Sequence, residues 1–168
     1  MKETIKNLTA YQAELPANVV KEKYQLDHLA RLSANESPYG PSPKVGEAIR
    51  AIPDDVLGFY PDGQATLLRD KVAALEQVDP ENLVFGVGAD ELIQLLTRTV
   101  LTPGGNMVVP SPTFGEYALH AQIEQATTKQ VPVDDATGHV DFAGMLAAVD
   151  DRTEMVWLAN PNKDRKST

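Results

Sequence analysis

The chain has no cysteine, one tryptophan, three histidines and no long apolar run among its 168 residues. Without cysteine there is no disulfide, no thiolate nucleophile and no thiolate metal site, a composition that suits a reducing compartment. His28, His120 and His139 are too far apart to make a local metal motif. No stretch approaches the ~20 apolar residues that a bilayer span needs. Residues 1–20 carry Lys2, Glu3, Lys6 and Glu14 and lack the apolar segment of a secretory signal. A cytoplasmic location with no membrane partner is expected. Positive charge is scarce as well: 15 Lys and Arg stand against 24 Asp and Glu, for a net charge of -9. That balance repels nucleic-acid phosphates and anionic lipid, and basic residues cluster only after residue 162. No nucleic-acid partner is expected.

The composition that remains, 42% apolar and 23% charged, is that of a soluble globular protein, and the length suits one domain. Residues 1–36 are polar, weakly periodic and interrupted by Pro16, which predicts an extended arm. Apolar residues at helical spacing predict a helix from Pro43 to the residue before Pro53 and a second over 64–77. Farther on, short apolar runs alternate with helical stretches. Strands are predicted at 83–87, 106–110, 128–133 and 154–159, and helices at 89–101, 114–124 and 141–149. The expected fold is α/β: a mostly parallel sheet with helices on both faces. The expected organisation is an arm with a substrate-proximal loop over 1–40, the first part of a large domain over 41–162, and an aberrant or truncated tail over 163–168.

An open α/β sheet places its ligand beyond the carboxyl ends of its strands. Three sequence features fall there. Gly86-Val87-Gly88-Ala89-Asp90 runs from a predicted strand into a helix, where glycines permit a sharp bend and the amides of the helix's first turn can meet a phosphate, or where Asp90 simply caps a tight turn. The third glycine of a dinucleotide fingerprint is missing, since Glu91 stands in its place. Phe114 follows the next strand, offering a ring that can stack on a planar ligand or simply pack. Asn160 follows the last strand, where its amide can bond a ligand heteroatom or start a turn. The acidic pairs Asp54-Asp55, Asp134-Asp135 and Asp150-Asp151 read as solvated loop residues.

Taken in order, Asn7-Leu8-Thr9-Ala10-Tyr11-Gln12, Ala34-Asn35-Glu36-Ser37-Pro38, Tyr60-Pro61-Asp62, Gly88-Ala89-Asp90-Glu91, Pro112-Thr113-Phe114 and Asn160-Pro161-Asn162 resemble the histidinol-phosphate aminotransferases. These are fold type I enzymes that use pyridoxal 5′-phosphate. The resemblance implies transfer of an amino group between glutamate and imidazole-acetol phosphate in histidine biosynthesis. It implies that Gly88, Ala89 and Asp90 hold the cofactor phosphate, that Phe114 stacks on its ring and that Asn160 bonds its phenolic oxygen. It further implies that Tyr60 reaches the cofactor phosphate of a neighbouring subunit in a homodimer, and that Tyr11, Asn35 and Glu36 border the substrate. The Schiff-base lysine of the family falls beyond residue 168, so no catalytic residue is expected here and the chain alone is expected to be inactive.

After Asn160-Pro161-Asn162 the family continues Asn-Pro-Thr-Gly, whereas this chain reads Lys163-Asp164-Arg165. Asp-Arg-Lys can be encoded GAC CGG AAA, which one base forward begins Thr-Gly, so residues 163–168 are expected to be an out-of-frame tail. Two alternatives stand beside this reading: the related phosphothreonine decarboxylases, and a noncatalytic phosphate-binding module.

Overall fold

The structure, a computed structural model, describes residues 3–6, 8, 15–31, 36–134 and 136–162. The chain divides into two compact units, one of Met1–Gln12 with Phe85–Thr168, the other of Ala13–Val84. In chain order the principal elements are α1 (Glu3–Lys6), α2 (Ala17–Tyr24), α3 (Pro43–Arg50), α4 (Thr66–Glu76), α5 (Gly88–Val100), β1 (Asn106–Ser111), α6 (Glu116–Ile123), β2 (Thr127–Pro132), α7 (Phe142–Ala148) and β3 (Thr153–Val156).

The Ala13–Val84 unit contains α2, α3 and α4. Helix α3 begins on Pro43, whose fixed φ and missing amide hydrogen suit the first helical position. Ahead of α4, the Asp62 carboxylate accepts the amide hydrogens of Gln64 and Thr66. These bonds, with that of the Thr66 hydroxyl foremost, hold the Asp62 carboxyl below its ordinary range. The Arg69 guanidinium donates to the carbonyls of Gln64, Pro80 and Leu83, stapling α4 to the turn that follows it. Ala73 is buried here, whereas Ile49, Leu67 and Leu75 are exposed.

The other unit holds the sheet. Among the described residues its order is β2-β1-β3, all parallel. The chain leaves β1 through α6 for β2, then returns through α7 across β1 to β3. Reversing direction while keeping a right-handed crossover puts the two helices on opposite faces, and the packing shows this. Met107 and Val109 of β1 cluster with Leu101, Ala121 and Ala126, with Tyr117, Met155 and Trp157 packed against them. Val156 and Leu158, on the other face, line a groove with Phe142, Met145, Leu146 and Val149 of the α7 region. The three-layer α/β arrangement is the one the alternating pattern predicts.

The amino ends of the strands are tied by a polar network. Asn106, buried in β1, donates to Asp150 (2.8 Å) and accepts from Thr153 (2.7 Å). Lys129 of β2 reaches Asp150 at 2.7 Å and donates to the Ala148 carbonyl. The Lys129 and Asn106 bonds hold the Asp150 carboxyl far below its ordinary value.

Three predictions need correction. Residues 83–87 are not a strand: the sheet takes β2, β1 and β3, and an apolar run cannot by itself supply a neighbouring ladder. The predicted strand 154–159 stops at Val156, and Pro110 explains why. In the parallel register Val108 pairs with Val156, and the Val108 carbonyl accepts from the Trp157 amide at 3.0 Å. The next rung would run from the amide of residue 110 to the Trp157 carbonyl, and proline has no hydrogen to give. The stretch predicted as an extended arm contains α2, because Pro16 sits just ahead of the helix, where a missing donor costs nothing, rather than inside it. The remaining helices and strands match their predicted spans within two residues.

Candidate functional site

Strand β1 leads through α6 away from its neighbour β3, to β2 on its other side. An open α/β sheet binds its ligands beyond the carboxyl ends of its strands. Residues 112–114 leave β1 there, and residues 157–162 leave β3. The two segments are joined by Asn162, a buried side chain. Its amide nitrogen donates to the Pro112 carbonyl at 2.7 Å and its oxygen accepts from the Thr113 hydroxyl at 2.9 Å. A carboxamide, with both donor and acceptor, suits a position that must satisfy one group of each kind. The loops bearing Phe114 and Asn160 are thereby fixed to one another.

Beneath Phe114 lies an aromatic ladder. Its ring meets Tyr117 edge-on, with centroids 5.8 Å apart, and Tyr117 stacks on Trp157 at 4.7 Å. Burial raises the Tyr117 hydroxyl above its ordinary value of 10.0, so it stays protonated at neutral pH. Asn160 lines a cavity of about 370 Å³ together with Asn162, His139, Gly138, Phe142 and Leu158. Neither Phe114 nor the bend at Gly88 lines that cavity.

The bend into α5 uses its two glycines differently. At Gly88 φ is +76°, a conformation that L side chains rarely adopt, and the space beside it is open. At Gly86 a Cβ would lie 2.8 Å from a Glu91 carboxylate oxygen and 3.0 Å from Leu92. A side chain at position 86 would have to displace the ends of Glu91 and Leu92. That Glu91 carboxylate accepts the Val87 amide hydrogen at 2.5 Å. Helix geometry leaves the amides of Ala89 and Asp90, one and two residues into α5, without intrahelical acceptors. The Glu91 carboxylate thus serves Val87 and leaves the first-turn donors of Ala89 and Asp90 for an anion.

Tyr60 belongs to the Ala13–Val84 unit and is fully exposed. Glu36 pairs with Arg31 at 3.8 Å. Tyr11 and Asn35 lie outside the described residues. Sequence reasoning passed over Asn162, His139 and the Tyr117–Trp157 stack. The second asparagine of Asn160-Pro161-Asn162 was a usable sign, because a turn that meets another strand end needs a side chain able to bond in both directions.

The aminotransferase class I and II family model matches residues 27–163. The chain belongs to the class I and II aminotransferases. Histidinol-phosphate aminotransferase of Leuconostoc citreum is 72% identical over 96% of the chain, and that of Leuconostoc mesenteroides is 68% identical over the same share. The chain spans about half the length of these curated relatives, 46% and 45% respectively. Among solved structures, histidinol-phosphate aminotransferase from Sinorhizobium meliloti in complex with pyridoxal-5′-phosphate matches with a TM-score of 0.82 at 27% identity, over 97% of this chain and 43% of its own.

Proposed function

We propose that this aminotransferase chain supplies the amino-terminal part of a histidinol-phosphate aminotransferase, which moves an amino group between glutamate and imidazole-acetol phosphate with pyridoxal 5′-phosphate. The observation that carries this reading is the Asn162 tie, which fixes the loops of Phe114 and Asn160 together at the carboxyl ends of β1 and β3. The residues fit a phosphorylated pyridine. The Ala89 and Asp90 amides, next to the open space at Gly88, suit a phosphate. The Phe114 ring suits a planar heterocycle, and the Asn160 amide suits a phenolic oxygen.

When bound, the cofactor supplies an electron sink for chemistry at the substrate Cα. The chain's own residues bind and orient. Ala89 and Asp90 anchor the charged end, Phe114 holds the ring plane on its Tyr117–Trp157 support, and Asn160 sets the rotation of the ring within that plane. Tyr60 serves the phosphate of a neighbouring subunit, making the working enzyme a homodimer, while Tyr11, Asn35 and Glu36 border the phosphorylated substrate. Lys129 does not serve as the cofactor's covalent partner, because its ammonium is held by Asp150 and the Ala148 carbonyl at the opposite end of the sheet. In this reading the chain alone binds the cofactor without transaminating.

Equilibrium dialysis tests this. The chain should take up pyridoxal phosphate more tightly than pyridoxal, and Phe114→Ala and Asn160→Ala should each weaken uptake roughly tenfold, the loss of about 1.4 kcal/mol. Equal uptake of the two compounds, or a borohydride-stable adduct on Lys129, would refute it.

A further inference from the structure

Phe114 stands between two anchored positions. On one side the Thr113 hydroxyl bonds Asn162. On the other, two residues along, Glu116 opens α6 and is buried, with only 9% of the residue exposed. A first-turn glutamate gains from the positive end of its helix while still hydrated, so its place in the helix does not account for the burial. Buried glutamates are rare, and one without a partner is costly. Among the described residues the partner is His120, one turn along α6, whose Nε2 lies 3.5 Å from Glu116 Oε2 with both side chains largely covered. Residues 116, 120 and 124 share one side of the helix. Glu124 meets Arg98 of α5 at 3.7 Å, so the row lies along the contact between α5 and α6.

A buried pair of this kind adds little net stability, because desolvation offsets its attraction. It does fix the first turn of α6 to the second, and the Tyr117 amide in that first turn bonds back to the Phe114 carbonyl at 3.4 Å. We infer that Glu116 and His120 are positioning residues for the Phe114 ring. They hold the start of α6 so that Phe114 meets Tyr117 edge-on and turns its plane to the cofactor. This deepens the cofactor reading and rests on it for what the ring does, although the packing of Phe114 on Tyr117 can be followed without a ligand. Neither member of the pair touches the cofactor. Their loss is not symmetrical: without His120 the Glu116 carboxylate is stranded and turns to water, taking the helix start with it, whereas without Glu116 an imidazole remains, a group that burial tolerates uncharged.

The test measures pyridoxal phosphate uptake by equilibrium dialysis and, without ligand, the near-ultraviolet circular dichroism of the Phe114, Tyr117 and Trp157 rings. His120→Ala should weaken uptake roughly tenfold and Glu116→Ala roughly threefold. Both should change the near-ultraviolet signal and keep the far-ultraviolet signal of the helices. The double variant should be no worse than His120→Ala, since no carboxylate is left to strand. Action through the ring has a signature that general loosening lacks: on a Phe114→Ala background, His120→Ala should cost nothing further. The inference is overturned if His120→Ala leaves uptake and the near-ultraviolet signal as in the parent, if the losses at 116 and 120 simply add, or if the loss is as large without the ring as with it. Should His120→Ala fail to fold, Glu116→Ala, which strands no charge, carries the same comparison with Phe114→Ala. If the parent takes up no pyridoxal phosphate the cofactor reading falls, and the near-ultraviolet signal of the variants alone decides whether the pair sets the ring.

Discussion

The two faces of the sheet are built from the same strands yet differ in closure. On the α6 face, Met107, Val109 and Ala121 are sealed from water, with Tyr117 and Trp157 closing the layer toward the crevice. On the α7 face, Met145 is buried, but Phe142, Leu146, Val156 and Leu158 stay open to solvent. Alternation along a strand sends comparable apolar residues to both sides. The difference is in what covers them: α5 and α6 together span one face, and α7 alone covers part of the other. One face therefore holds the unit together, while the other is a surface that can receive something.

Substitution should expose this contrast. The largest effect is expected from Met107→Ala, which opens a cavity in the sealed layer and should lower unfolding free energy by about 2–5 kcal/mol. Leu146→Ala on the open face should stay within about 0.5 kcal/mol of the parent. Urea melts of both variants measure the comparison, and equal losses would show that the α7 face is closed in solution. An intermediate effect is expected from Asn162→Ala, which removes the bonds to Pro112 and Thr113 at a buried position and should cost about 1–3 kcal/mol. The same change should weaken pyridoxal phosphate uptake by freeing the loop of Phe114, whereas Met107→Ala should leave uptake by the folded fraction unaltered. Unchanged uptake in Asn162→Ala would separate the tie from the site.

The smallest effect concerns acid. Asp150 has its folded pKa depressed by Lys129 and Asn106, so its stabilising contribution is present above its ordinary value of 3.8 and is lost as the pH falls below that. Asp150→Asn should lower stability slightly at neutral pH and flatten the acid side of the stability curve below pH 3.8. Thermal melts from pH 7 to pH 2 would show a parallel, unflattened curve if the Asp150 network stabilises nothing. These ties at the amino ends of the strands serve both faces alike, so their loss should not change the contrast between them.

Much of this was legible in the sequence because it depends on local pattern. Helices α4 to α7 and strand β1 follow from the spacing of apolar residues and from turn residues such as Asp62 and Asp79, whose carboxylates accept nearby amide hydrogens. The loops after β1 and β3 were also readable as strand ends where ligands gather. What stayed hidden depends on partners distant in the chain. Whether 83–87 joins a sheet depends on a neighbouring strand, the end of β3 on a proline some fifty positions earlier, and Asn162 on two groups in another loop. Pro16 misled because a proline before a helix and one inside it look alike in a local window.

Pro110 sits in the middle strand with no hydrogen to offer across to Trp157. Any other residue there would let the seam between β1 and β3 run one step farther and draw the tips of the two strands together. The ladder thus ends on a hydrogen that is absent, and alanine at position 110 should restore the rung to Trp157.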